Sequence, residues 1–298
     1  MRQAENRVRI EGILSEINIE TRTFNRNDEP VEALSGRFIV KTTETISGEE
    51  RTLFIPVHVF STKYKKDGTT NPSYESISRL MTDFKSIAAV GNEDEADRVR
   101  ITNGRISENA YFSRDGRLIS YPRIEASFIS KIRPEECVPG ASFVVEFYVC
   151  GKEEELDREG EPTGRLKVKG AIPQYGGKVS MVDFLCESKK VIDGVSSLWE
   201  LRDTVRAKGL LNFTSSTETV LEEMGFGDPI EKVRTYNRSE LIIGGGSDPM
   251  DNGYTRDEIT EAIAERKARL EAQKDRNMAR AKERTAPKPT SILDDLGF

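Results

Sequence analysis

The chain has 298 residues, 36% of them hydrophobic and 32% charged, with a formal net charge of −6 at pH 7. This length suits two domains of ordinary size, with enough apolar residues for two small cores. The negative balance excludes bulk attraction to nucleic acid, so any such site must come from local basic surface.

Residues 7–19 alternate, with Val8, Ile10, Ile13, Ile17 and Ile19 between polar neighbours, and predict a strand that Gly12 bends or bulges. A polar loop is expected at 25–30. Residues 37–45 and 51–60 read as a hairpin turning at 46–49. The only histidine, His58, falls in that second run as a strand residue on one face of a sheet. Residues 63–68 form a basic loop, and 74–90 carry Ile77, Leu80, Met81, Phe84 and Ile87 at helical spacing. A strand over 98–106 continues through 110–112, turns at 114–116 and returns through 118–132. Three strands, one helix and a two-strand hairpin, with glycine bends, point to a five-stranded Greek-key barrel, the OB-fold.

The turn-rich stretch 133–140 divides the chain, and the same order recurs after it. Strands are expected at 143–150, 165–172, 178–186, 204–213 and 240–243. A charged loop is expected at 151–164, a hairpin turn at 175–177, a short helix around Trp199 and a helical insert at 216–224. The fold class is therefore mainly β: tandem OB-fold five-stranded Greek-key barrels, then a C-terminal α-helix and a disordered tail. The divisions are 1–134 for the first barrel, 140–246 for a second OB-like domain, 247–284 for a linker and long helix, and 285–298 for a flexible acidic tail. Thr255 and Glu258 form a capping box opening the helix. Its apolar stripe (Ile259, Ile263, Leu270) is thin, and a solvated spacer is expected in preference to a docked helix.

The tail ends in Ser291-Ile-Leu-Asp-Asp-Leu-Gly-Phe298 after prolines that keep the chain extended. Asp294, Asp295, Leu296 and Phe298 suit docking into a basic, apolar pocket of a partner protein. The lone histidine excludes multi-histidine metal centres. Three separated cysteines without a CxxC pair exclude a zinc knuckle or disulfide framework. No P-loop, no GxGxxG after a strand and no catalytic carboxylate spacing occurs, so no cofactor, metal site or catalytic residue is expected. The absence of a leader pattern and of a bilayer-length apolar run predicts a soluble, reducing, intracellular setting.

Asn6-Arg-Val-Arg-Ile-Glu-Gly12, Phe54-Ile-Pro-Val-His-Val-Phe60 and Asp97-Arg-Val-Arg-Ile-Thr-Asn-Gly-Arg-Ile106, followed by Tyr111, Asp115-Gly116 and Tyr121, resemble the bacterial and phage single-stranded DNA-binding protein family. The resemblance covers 6–132 and the last eight residues. It implies an OB-fold that coats unwound DNA in replication or recombination, in the cytoplasm of a bacterial or phage-infected cell. The tip would then recruit replication and recombination proteins. The long loop after the first strand and the second domain depart from the simplest, one-barrel members. Tryptophans often used for stacking in the family are absent: Phe54 and Tyr111 stand where two would be, and Ile46 where another would be.

Sequence-neutral binding of single strands needs aromatic faces for bases and cations for the backbone. The candidate rings are Phe54, Phe60, Tyr111 and Tyr121. The candidate cations are Arg7, Arg9, Arg37, Arg51, Lys63, Lys65, Lys66, Arg100, Arg105, Arg114 and Arg117. The competing role for each ring is core packing, most of all for Phe60, and for each arginine a solvated strand edge. In the second domain, Tyr148, Tyr175, Trp199, Lys167, Lys169, Arg206 and Lys208 are further candidates, with Trp199 better suited to a core. Two rival functions stand beside this one: a protein-interaction scaffold without DNA binding, and a Mg²⁺-dependent nuclease. Two barrels per chain could serve alone or, in a homodimer, present four.

Overall fold

Strand β3 (Glu49–Thr62) shows how the sequence builds the first half. Leu53, Ile55, Val57 and Val59 are buried, while Phe54, Pro56, His58 and Phe60 face outward. This two-residue period puts every aliphatic side chain inside. The structure, a computed structural model, describes residues 1–26, 29–113, 115–157, 159–222 and 230–285. The other first-half elements are β1 (Asn6–Arg26), β2 (Glu29–Ile46), α1 (Pro72–Asp83), α2 (Ile87–Val90), β4 (Arg98–Phe112), β5 (Leu118–Glu125) and β6 (Ser130–Ile132). The second half comprises β7 (Gly140–Leu156), β8 (Pro162–Pro173), β9 (Val179–Cys186), α3 (Lys189–Leu198), β10 (Thr204–Glu222), β11 (Ile230–Gly246) and α4 (Arg256–Thr285).

The pairings run in two rings of the same order. In the first, β1 pairs with β2, β2 with β3, β3 in parallel with β5, β5 with β4, and β4 with β1. In the second, β7, β8, β9, β11 and β10 repeat that circuit and return to β7. Helix lies between the third and fourth strands of each ring, α1 and the one-turn α2 in the first and α3 in the second. The fold is mainly β, with two successive five-stranded units of OB type and a C-terminal helix. Gly12 makes the first bend possible: a Cβ there would lie 2.2 Å from the Lys41 carbonyl oxygen. Gly209 has the same role in the second ring, where a Cβ would lie 2.0 Å from the Ile242 carbonyl oxygen.

The rings join through their first strands. Residues 6–11 of β1 pair antiparallel with 140–145 of β7, from Asn6 opposite Val145 to Glu11 opposite Gly140. Antiparallel pairing of equivalent strands relates the rings by an approximate two-fold axis. The hairpin β4–β5 meets β9, and β10 correspondingly meets β3. One hydrophobic core runs through both rings, from Val8, Phe38, Leu80 and Ile101 to Phe143, Phe147 and Phe184. Phe147 stacks on Phe184 at 4.5 Å. At the seam Glu11 is 1% exposed. It accepts hydrogen bonds from Arg100 Nε at 2.8 Å, Arg9 Nε at 3.0 Å and the Val138 N–H at 3.1 Å. Burial alone would raise its carboxyl, but these donors hold it below the usual carboxylate range.

Several local expectations change. Of the polar loop expected at 25–30, the described residues 25–26 and 29–30 are strand, in a two-stranded arm where β1 and β2 pair out to Arg26 and Glu29. The charged stretch 151–164 is largely strand, the outer part of the β7–β8 hairpin. The helical insert at 216–224 is overturned through Glu222, because β10 continues as strand paired with β11. The predicted helix at 74–90 divides at Phe84, whose backbone is extended.

Helix α4 is docked, not a solvated spacer. Thr255 and Glu258 make the capping box, and Ile259, Ala262 and Leu270 are buried. Arg266 Nε donates to Glu108 Oε2 at 2.7 Å, and Lys274 Nζ sits 4.8 Å from the centre of the Phe112 ring. Among the described residues no helix is long and apolar enough to cross a membrane.

Candidate nucleic-acid interface

Cross-strand register places one row of side chains along the outer face of the first ring. Asn18 on β1 is opposite Arg37 on β2, and Arg37 is opposite His58 on β3. His58 pairs with Glu125 on β5, which is opposite Arg105 on β4. Around this row lies a groove of about 620 Å³ whose lining adds Arg22, Phe60 and Arg123. Glu20 and Glu125 are its acids. Glu125 binds Arg105 at 2.9 Å and also pairs with Arg123. Burial pushes its carboxyl up, but Arg123, Ser107 and Arg105 keep it below the usual range. Arg22 Nε donates to Glu20 at 2.7 Å, whereas Arg37 makes no ion pair among the described residues. Burial of His58, with Arg123 and Arg37 nearby, pushes the imidazole down to about 4 against the pull of Glu125. The ring is neutral near pH 7, so the cations of the groove are arginines.

The candidate rings are all exposed: Phe54 by 38%, Phe60 by 59%, Tyr111 by 37% and Tyr121 by 42%. Phe60, the ring with the strongest case for core packing by sequence, is the most open of the four. Its outward position follows from strand parity with His58. Phe24 from the β1–β2 arm lies 6.1 Å from it, centroid to centroid. Tyr111 and Tyr121 meet edge to face at 6.4 Å on the β4–β5 hairpin. Register puts them with Arg105 and Arg123 on one face of that hairpin. Its other face carries Glu108, which binds helix α4.

Not every predicted cation joins this face. Arg9 and Arg100 are tied to buried Glu11 at the seam, and Arg7 lies beside them, 3.9 Å from Glu5. Arg51 pairs with Glu49 at the opposite end of β3 from Phe60. Arg117 is paired with Asp115 at the hairpin turn, and Arg114 lies outside the described residues. Lys63, Lys65 and Lys66 border a second groove of about 720 Å³ beside the β1–β2 arm, where Lys63 pairs with Glu32 at 3.2 Å. Tyr64, 55% exposed, also lines it. Asp294, Asp295, Leu296 and Phe298 lie outside the described residues.

Arg22, Phe24, Tyr64 and Arg123 are additions that sequence reasoning missed. Arg123 was within reach, since it alternates with Tyr121 on one strand. Arg22 and Phe24 fell beyond the predicted end of their strand. In the second ring, Tyr148 and Trp199 are core residues, and Trp199 Nε1 donates to the Ser247 carbonyl at 2.8 Å. Among the described residues no three His, Cys, Asp or Glu side chains converge as a metal site requires.

The model of the YorF family matches residues 4–276. The chain belongs to the YorF family. No curated protein sequence matches this family member significantly. Among solved structures, it is similar to the wild-type single-stranded DNA binding protein from Thermus aquaticus. That match has TM-score 0.52 and 9% identity, covering 85% of this chain and 97% of that one. A deletion mutant of the same Thermus aquaticus protein gives TM-score 0.51 at 10% identity, covering 86% of this chain and all of that one. At such identity the likeness shows the fold.

Proposed function

We propose that this chain is a single-stranded DNA-binding protein that coats unwound DNA during replication or recombination. Residues 1–134 hold the strand, 140–246 form the second OB-like domain, and the acidic tip recruits replication and recombination proteins. One observation carries the reading: exposed rings and arginines share the outer face of the first ring. In OB-folds the face of the second and third strands and the hairpin loops are where oligonucleotides are taken up. Phe60, Tyr111 and Tyr121 offer faces to bases of any identity, and Arg22, Arg37, Arg105 and Arg123 lie where phosphates would pass.

The test is a titration with oligo-dT across salt concentrations. Each phosphate neutralised contributes about −0.7 to the slope of log affinity against log salt. Four arginines therefore predict a slope near −3. A protein-interaction scaffold would show no affinity even at low salt, and that result would overturn the reading.

The tip competes with DNA for the basic face as an intramolecular brake. Removing residues 291–298 is expected to leave DNA binding equal or tighter while capture of partner proteins is lost. A collapse of DNA binding would rule the brake out.

A further inference from the structure

The two rings share an order of strands but not a surface. The second-ring row equivalent to Arg37 and His58 consists of Lys167 and Lys169 on β8 opposite Leu185 and Asp183 on β9. No aromatic side chain stands in this row, and its cations are matched: Lys167 and Lys169 lie 2.6 and 3.1 Å from Glu153. Arg165 beside them is held by Glu155, Glu187 and Glu240.

Other elements also wall this face. Leu118, Ser120 and Pro122 of the β4–β5 hairpin and Arg266 of α4 line one groove with Lys167, Lys169, Asp183 and Leu185. Glu108 ties the layers together. It accepts from Arg266 Nε at 2.7 Å, from the Met181 N–H at 3.1 Å and from Ser120 Oγ at 2.6 Å. The Glu108 and Arg266 side chains are 6% and 11% exposed. A charge pair so shielded from water is a fixed joint, not a surface contact.

Building on the nucleic-acid reading above, we infer that each chain carries one single-strand-binding face, and that the second ring, with α4, is the platform that fixes the hairpin bearing Tyr111 and Tyr121. Glu108 and Arg266 act as positioning residues. They touch the back of the hairpin while the two tyrosines present their rings from the front. The approximate two-fold axis thus relates two frameworks with different tasks.

The experiment uses the full chain and oligo-dT of one-barrel length, roughly 12 nucleotides. Stoichiometric titration is expected to saturate at one oligonucleotide per chain. The double substitution Arg37→Glu with Phe60→Ala, both on exposed side chains, is expected to remove binding without residue while the melting temperature is kept. Two oligonucleotides per chain, or half the capacity surviving in that variant, would overturn the inference and leave the nucleic-acid reading standing. No binding by the unaltered chain would remove both.

For the positioning role, Arg266→Ala is expected to weaken binding roughly fivefold, the loss of about one stacked base. It should have no further effect once Tyr111 and Tyr121 are both alanine. An equal loss in that background would assign Arg266 a general structural role and overturn its positioning one.

Discussion

Arg37 and His58 stand directly opposite each other across β2 and β3, and the guanidinium helps to keep the imidazole uncharged. The folded-state value of about 4 lies below the ordinary 6.5. Between those pH values the unfolded chain binds a proton that the folded chain refuses. The stability contributed here is whole above about pH 6.5 and is lost as pH falls toward 4. The full linkage is on the order of 3 kcal/mol, reduced by solvent at the half-buried ring. His58→Gln removes the titration. The wild-type melting temperature should therefore fall more between pH 7 and pH 5 than that of the variant. Parallel curves for the two proteins would contradict the assignment.

Phe60 tests the stacking role. Its replacement by alanine is expected to weaken oligo-dT binding by roughly 1–3 kcal/mol. Tyr175 is the control: it is 83% exposed on the turn between β8 and β9, yet it does not line the groove around Phe60. Tyr175→Ala should leave affinity unchanged. Equal losses at both positions, measured by anisotropy, would mean that exposed aromatic area alone governs binding.

Glu11 tests the seam. Its carboxylate serves two arginines and a backbone N–H from a position closed to water. Glu11→Ala would leave Arg100 and the Val138 N–H without their shared acceptor and is expected to cost about 1–3 kcal/mol of folding stability. Arg9→Ala should cost far less, since Arg9 is 55% exposed. Chemical denaturation measures both, and a loss below about 1 kcal/mol for Glu11→Ala would argue against a structural role for the cluster.

What the sequence made legible follows from which side chains are half-buried. In β3 one face is core, so apolar residues alternate and the strand can be read directly. The outer arms have water on both sides. Nothing forces an apolar period there, and stretches such as 151–156 look like charged loop although they are strand. The docking of α4 was hidden for a different reason. Its thin buried stripe of Ile259, Ala262 and Leu270 is supplemented by the Arg266–Glu108 pair, whose charges read in sequence as solvated surface. Outward residues of β3 could be found by parity with Phe60. The arginines that join them come from β1, β2, β4 and β5, and only the register brings them level.

The six-residue ribbon shared by β1 and β7 also bears on how the chain can be dissected. Each ring leaves the leading portion of its first strand without a partner along one side, and only the other ring supplies the missing amides and carbonyls. A fragment ending at residue 134 would carry that bare rim into solution. Such a rim invites pairing with copies of itself, so severing the halves would yield self-associating pieces instead of two independent modules.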